Sequence, residues 1–160
     1  MLENIFSTYG ARAALERVKS AIQELTQVRQ TLAQGVDGLE RIRRSHNAPR
    51  PLYSNPTLNA AIWLADSAPR VFNNLKQKEC ELVQIINDGR ALIYGVEFAM
   101  GAKYASVLRM YYMRAMTHEE IRNATGISLP MIERYKAVAL DYMNAVGYNR
   151  ALQGVSISDI

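Results

Sequence analysis

Residues 102–145 read AKYASVLRMYYMRAMTHEEIRNATGISLPMIERYKAVALDYMNA, and local signals divide this stretch into three helices. The first helix is predicted from Ala102 to about Ala115, because apolar residues recur there at helical spacing. Thr117 has N-cap chemistry, and Glu120 follows it by three residues, which is the capping-box pattern. These two residues therefore predict the start of a second helix.

The second helix is expected over residues 119–125, because Gly126 stands where a chain turns sharply with a positive φ. Ser128 then has N-cap chemistry for a third helix, and Pro130 fits the first turn of that helix, where no amide partner is lost. Gly147 marks the expected end of the third helix. The pattern is that of a helix-turn-helix that places its second helix in a DNA groove, and equally that of an ordinary helical hairpin.

Apolar spacing predicts which faces of these helices pack together. Ile121 and Ala124 are expected to face inward, and Ile127 to plug the space between the second and third helices. Arg134 and Lys136 stand beside the apolar stripe of the third helix. The basic flank of that helix is therefore a candidate phosphate contact.

Residues 1–45 are interpreted as an assembly or packing helix. Apolar residues recur over residues 7–44 at steps of three, four or seven, namely Leu15, Val18, Ile22, Leu25, Leu32, Val36 and Leu39. Because clean heptads are few, the pattern fits an oligomerising coiled coil and a helix packed on its own chain equally well.

A proline-rich loop is predicted over residues 46–56, because proline removes amide donors and disfavours helical geometry in the preceding residue. Four arginines around it form the most basic local cluster of the chain, namely Arg41, Arg43, Arg44 and Arg50. The cluster fits a solvated loop as well as a phosphate contact.

The rest of the chain is also expected to be helical. Residues 57–101 are predicted to form a helical core or connector, with Trp63 as a buried anchor and a break or kink at residues 87–89. Residues 148–160 are expected to be a tail. No run of alternating β-branched residues appears, so the predicted fold is all-α, with a long amphipathic N-terminal helix, central helices and a C-terminal three-helix helix-turn-helix module over residues 102–147.

Composition narrows the class of protein. The chain has 160 residues, 49% of them apolar, and a net charge of +4, which permits binding to nucleic acid without establishing it. Cys80 is the only cysteine, which excludes an intramolecular disulfide and suits a reducing cytoplasm. The longest nearly apolar stretch, residues 91–102, contains Glu97 and is short of a bilayer span of about 20 residues. We therefore expect a cytoplasmic protein without a secretory signal.

An enzyme is the least expected class, because catalysis needs convergent groups and His118 stands alone at a predicted helix start. Gly89, Gly95 and Gly101 are evenly spaced, but no Gly-Lys-Ser/Thr follows them, so they do not form a phosphate loop. No set of residues has the spacing of metal ligands. Neither a metal nor a cofactor is expected.

Four segments carry a family resemblance: LRMYY at 108–112, MTHEEI at 116–121, TGIS at 125–128 and IERYKAVAL at 132–140. Together they resemble region 4 of the primary bacterial sigma factors. They resemble more closely the phage late-gene transcriptional activators of the ArpU and RinA type, which carry a sigma-region-4-like module behind a helical amino-terminal half. The resemblance implies a phage or prophage regulator in a bacterial host that binds double-stranded DNA, and the long helix adds the expectation of a homodimer or higher oligomer.

Carried over to this sequence, the resemblance implies a DNA-binding set of Arg122, Ser128, Leu129, Pro130, Glu133, Arg134 and Lys136. Arg134 is expected to donate to guanine or to phosphate, and Lys136 to reach a phosphate. Arg122 lies where the supporting helix would approach the DNA backbone.

The chain departs from the family pattern at several of these positions. The family usually has a small residue where Arg122 sits, so this side chain must extend outward or the helices pack more loosely. Leu129 and Pro130 replace residues that are usually polar, and they fit either a thymine methyl group or a protein surface. Glu133 would repel phosphate and is compatible with reading a cytosine amine.

Two other functions fit the sequence. In the first, a protein-interaction module docks on RNA polymerase or another factor through the surface near Leu129, Pro130 and Met131. In the second, a small-terminase-like DNA-packaging subunit combines the same module with an oligomerising helix. Pull-down with polymerase would favour the first, and a ring-sized assembly would favour the second.

Overall fold

A computed structural model describes residues 2–46 and 68–155, and it contains only helices and their connections in those two ranges. The elements in chain order are α1 (Leu2–His46), α2 (Ala68–Met100), α3 (Ala102–Leu108), a π-helix (Arg109–Met113), α4 (His118–Thr125), α5 (Leu129–Val146) and α6 (Tyr148–Gln153). The predicted all-α class is therefore confirmed for this part of the chain.

Several predictions lie outside the described residues. These include the proline-rich loop apart from His46, the start of the predicted helical core with Trp63, Arg50, and the last five residues of the predicted tail. The side chains of Arg41, Arg43, Arg44, Val36 and Leu39 also lie outside the description.

The described chain divides into two compact units. The first unit contains the chain up to Gln23 together with the chain from Val83 onward, and the second contains Glu24 to Leu82. Both long helices therefore contribute to both units.

In the second unit, α1 and α2 approach closely at Gly35. A Cβ atom at this position would lie 2.7 Å from the ring of Phe72. Nearby, Nε of Arg29 donates to Oε1 of Glu79 over 2.7 Å, although the Arg29 side chain is mostly exposed. Exposed ion pairs of this kind add little stability, so the apolar contact at Gly35 is expected to stabilise the helix pair more than this ion pair does.

In the first unit, α1 and α2 supply much of the buried apolar surface, including Leu15, Val18, Ala21, Ile85, Leu92, Ile93 and Val96. Glycines allow the close packing. A Cβ atom at Gly89 would lie 2.5 Å from Cγ2 of Val18, and one at Gly95 would lie 1.7 Å from the carbonyl oxygen of Ala151 in α6. The predicted break at residues 87–89 is wrong, because α2 is continuous there and Gly89 serves close packing instead.

Helix α1 is interrupted at Gly10, which has φ 83° and ψ 176°. The amide of Ala11, the next residue, donates to Oδ1 of Asn144 in α5 over 2.8 Å. A new helical segment begins here with an amide that lacks an intrahelical partner, and the Asn144 side chain supplies one. The single uninterrupted helix predicted over residues 7–44 is therefore corrected to one with a break near its start.

The predicted helix over residues 102–115 consists of α3 followed by the π-helix. The Arg114 amide donates to the Arg109 carbonyl over 3.1 Å, which is the wider hydrogen-bonding pattern of a π-helix. This turn buries Tyr112 completely and places it edge-on against Tyr111, with ring centroids 4.9 Å apart. Burial raises the pKa of Tyr112 well above its usual range.

The chain after Gly147 is not a simple tail. Residues 148–153 form α6, which buries Ala151, and Gly154 closes it with φ 67°. The Tyr142 hydroxyl donates to the Val155 carbonyl over 2.6 Å, which ties the segment after α6 to α5.

Candidate nucleic-acid interface

Helix α4 begins with the predicted capping box. The Glu120 amide donates to Oγ1 of Thr117 over 3.3 Å, and the Thr117 amide donates to Oε2 of Glu120 over 2.7 Å. The bond from the Thr117 amide favours the ionised carboxylate and lowers the pKa of Glu120. The start of α4 is thus set by two residues, three positions apart, as the capping-box pattern predicts.

The turn from α4 to α5 also follows its local signals. Gly126 adopts φ 73°, and its amide donates to the Arg122 carbonyl over 2.8 Å. Ser128 occupies the N-cap position of α5 and Pro130 lies in its first turn. The Ser128 side chain, however, makes no capping hydrogen bond in the described chain, so only its backbone has the predicted role.

A small buried cluster holds α3, α4 and α5 together. Its fully buried members are Val107, Ile121 and Ile132, one from each helix. Partly buried side chains surround them, namely Met110, Tyr111, Met116, Ile127, Leu129 and Tyr135. The predicted inward positions of Ile121 and Ile127 are confirmed, whereas Ala124 is exposed and the expectation for it is wrong.

Leu129 is half-buried against this cluster, so it is directed towards the protein interior. The exposed surface next to it is formed by other members of the predicted set. Arg122 and Ser128 are exposed before α5, and Pro130, Glu133 and Arg134 are exposed on its first turns.

The exposed face of α5 is a continuous stripe. Its members follow the helical spacing of three and four, namely Pro130, Glu133, Arg134, Ala137, Val138 and Asp141. Arg134 is the cation of this stripe, with Glu133 beside it. Oε1 of Glu133 lies 3.8 Å from Nδ1 of His118. This contact draws Glu133 towards α4.

Lys136 does not lie on that stripe. Its Nζ atom is 3.1 Å from Nε2 of His118 and 4.2 Å from the centre of the Tyr111 ring. Burial and the nearby charge of Arg12 lower the pKa of Lys136. At about 100° of rotation per residue, Glu133 separates Lys136 from Arg134 around the helix, so the two predicted cations occupy opposite flanks of α5.

Tyr111 is the centre of a contact with lysine and histidine side chains that the sequence did not predict. Nζ of Lys19 in α1 lies 4.4 Å from the ring centre, and the His118 ring stacks on Tyr111 with centroids 5.1 Å apart. No local pattern pointed to Lys19, because its neighbours in this contact come from distant parts of the chain. Tyr111 lies within the quoted family resemblance, but nothing there indicated its role.

Other kinds of site find little support in the described residues. Over residues 2–46 and 68–155, no three His, Cys, Asp or Glu side chains gather where they could hold a metal ion. Cys80 is exposed and free. In that same part of the chain, no helix combines the length and apolarity needed to cross a bilayer. No protein family, curated protein or solved structure matches the chain.

Proposed function

We propose that this protein is a DNA-binding transcriptional regulator of phage or prophage type, which binds duplex DNA through α4 and α5. One observation carries the proposal. Arg122 and Arg134 are exposed on two successive helices that share a buried cluster and are joined by a three-residue turn at Gly126. This arrangement supports a helix-turn-helix, in which the second helix would enter the groove and the first would cross the backbone.

In this proposal, the exposed stripe of α5 faces the major groove. The groove is about 12 Å wide, which admits one helix with its side chains. Arg134 donates to guanine or phosphate, and Pro130 at the start of α5 contacts an apolar edge such as a thymine methyl group. Glu133 accepts from a cytosine amine, which explains how an acidic residue fits next to DNA.

Arg122 supplies the backbone contact of the supporting helix. Its side chain is exposed near the end of α4, where the preceding Ile121 is fully buried. The unusual arginine at this position therefore extends away from the helix contact. Its position allows a phosphate contact, which fixes orientation without reading sequence.

Assembly of two copies belongs to the same proposal, through a surface other than Leu15 and Val18 of α1, which are buried within the chain. A two-fold dimer would double the phosphate contacts and fix the spacing of two half-sites in the operator. Light scattering measures the assembly, and a dimer together with a palindromic binding site is the expected result.

A protein-docking function is the second candidate, and the composition of the α5 stripe favours it. Val138 is 38% exposed and stands beside Ala137, while Glu133 and Asp141 bring negative charge to the same face. An apolar centre with acidic neighbours suits a basic protein surface, such as one on RNA polymerase, better than phosphate.

Selection of bound duplexes from random DNA, followed by footprinting, separates the two functions. A regulator enriches one discrete motif, and Arg134→Ala weakens binding to that motif by about 10-fold or more, which corresponds to about 1.4 kcal/mol. Arg150→Ala, which removes an exposed arginine of α6, is the matched control and should bind as the unaltered protein does. Capture of polymerase with no enriched motif, abolished by Val138→Asp, would establish the docking function instead.

A further inference from the structure

The contact around Tyr111 brings together cations from both ends of the described sequence. Lys19 of α1 and Lys136 of α5 place their Nζ atoms 4.4 and 4.2 Å from the centre of the same ring. The His118 ring stacks on Tyr111 and contacts Lys136. An aromatic face attracts an ammonium group without neutralising it, so the ring orients both charges and leaves them available.

Arg12 brings a third positive charge near this contact. Arg12, Glu16 and Lys19 share one face of α1, because they are spaced by four and three residues. Burial is the main cause of the lowered pKa of Lys136, and the positive charges of Arg12 and Lys19 lower it further. Lys136 is therefore repelled by both other cations, and an anion placed beside Lys19 and Lys136 would relieve that repulsion.

Two carboxylates oppose this positive charge but do not outnumber it. Glu16 and Glu133 both raise the pKa of Lys136. The Glu133 side chain is 68% exposed and its Oε1 lies 3.8 Å from Nδ1 of His118, so it stands at the exposed edge of the contact. Three cations facing two carboxylates leave a net positive charge at the contact.

We propose that Lys19 and Lys136, held on the Tyr111 ring, bind a phosphate group, and that this phosphate belongs to the DNA backbone beside the groove that α5 enters. The inference rests on the proposed function and adds α1 to the DNA interface. Lys136 lies on the Glu133 side of the exposed stripe of α5, which is where a phosphate strand would border a helix seated in the groove. Lysine binds phosphate as a point charge, and two such donors suit a backbone contact that carries no sequence information.

The experiment replaces Lys19 by glutamine, because Lys19 belongs to α1 and lies outside the α5 stripe. Binding to the selected duplex is measured by fluorescence anisotropy over a series of salt concentrations. For Lys19→Gln, we expect affinity to fall about 3- to 10-fold and the slope of log K against log salt to fall by about one. Lys19→Arg keeps the charge and should restore binding, and Arg150→Gln makes the same charge change on α6 and should leave the slope unchanged.

A second measurement tests the site without DNA. Inorganic pyrophosphate is titrated into the full chain, and amide shifts are followed by NMR at Lys19, Tyr111 and Lys136. Saturable shifts at these residues, lost in Lys19→Gln but retained in Arg150→Gln, are expected. Thermal melting of each variant shows that the loss is not caused by unfolding.

The two measurements separate the phosphate site from the proposed function. If the protein binds DNA, but Lys19→Gln matches Arg150→Gln and pyrophosphate gives no shifts, the phosphate site is overturned and the regulator stands. If pyrophosphate binds beside Lys19 and Lys136 but no duplex is selected, the proposed regulator function is overturned and free phosphate is the ligand. A lower salt slope for Lys19→Gln supports the backbone contact with or without pyrophosphate binding. If no duplex is selected and pyrophosphate gives no shifts, both proposals are overturned.

Discussion

The connection between α4 and α5 is built from residues that are close in sequence, whereas the contact between α2 and α6 joins residues that are far apart. In the first region, Thr117, Glu120 and Gly126 satisfy helix ends through hydrogen bonds that reach only three or four residues. In the second, Gly95 lets its helix pass directly against the Ala151 carbonyl. Glycine appears in both regions, but it provides a left-handed turn in one and space in the other.

Because of this difference, we expect the two regions to respond differently to substitution. A lost cap leaves one amide to be solvated at an exposed helix end, which costs little. An added methyl group at a close helix contact forces the backbone apart, which costs more because packed interiors do not deform easily. The following substitutions test this contrast in order of decreasing effect.

Gly95→Ala should have the largest effect, because its Cβ atom would lie 1.7 Å from the backbone carbonyl oxygen of Ala151. We expect a loss of about 3 kcal/mol in the free energy of unfolding, despite the better helix propensity of alanine. Urea denaturation measures it. Gly89→Ala is the matched variant and should lose less, since its contact is the Val18 side chain, which can move. Equal losses for the two variants would contradict the importance of the backbone contact.

Asn144→Ala should have an intermediate effect. It removes the acceptor of the Ala11 amide at the break in α1, and Ala11 is fully buried. Leaving that donor without a partner should cost about 1.5 kcal/mol, measured by urea denaturation. Asn144→Asp retains an acceptor oxygen and should keep most of the stability. Equal stability of the alanine variant and the unaltered protein would show that water replaces the bond at no cost.

Thr117→Ala should cost about 1 kcal/mol in the free energy of unfolding, because it removes the hydroxyl that accepts from the Glu120 amide.

The bond from the Thr117 amide to the Glu120 carboxylate predicts that stability depends on pH. The folded-state pKa of Glu120 is lowered, so its contribution is present above the unfolded value of about 4.3 and is lost as the pH falls through the folded value. Glu120→Gln should therefore destabilise the protein at neutral pH and have no effect in strong acid. A pH-independent difference would contradict the capping role of the carboxylate.

Ser128→Ala should have the smallest effect, within about 0.5 kcal/mol, because the Ser128 side chain makes no capping bond in the described chain. It therefore serves as the control for Thr117→Ala, and thermal melts of the two variants compare their stabilities. For DNA binding, we expect Ser128→Ala to have the larger effect of the two variants, because Ser128 is exposed next to the α5 stripe. A stability loss equal to that of Thr117→Ala would show that the Ser128 hydroxyl caps α5 in solution.

The predicted site was only partly recoverable from spacing. Helical periodicity placed Arg134 and Lys136 on one helix, but their environments differ because one side of α5 packs near Tyr111 and His118. Leu129 was expected in the groove, and it is half-buried because α4 and α5 need apolar cover around Ile121 and Ile132. Which flank of a helix is covered depends on neighbours that the helix's own sequence does not identify.

Interactions between residues close in sequence allowed several features of the fold to be predicted from the sequence alone. The all-α class, the capping box at Thr117, the turn at Gly126 and the end of α5 at Gly147 all depend on hydrogen bonds and dihedral angles within a few residues. The break at Gly10, the packing of Gly95 and the gathering of Lys19 with Lys136 could not be read in that way. These features depend on which distant segments meet, and that choice follows from burying apolar surface over the whole unit rather than from any local pattern.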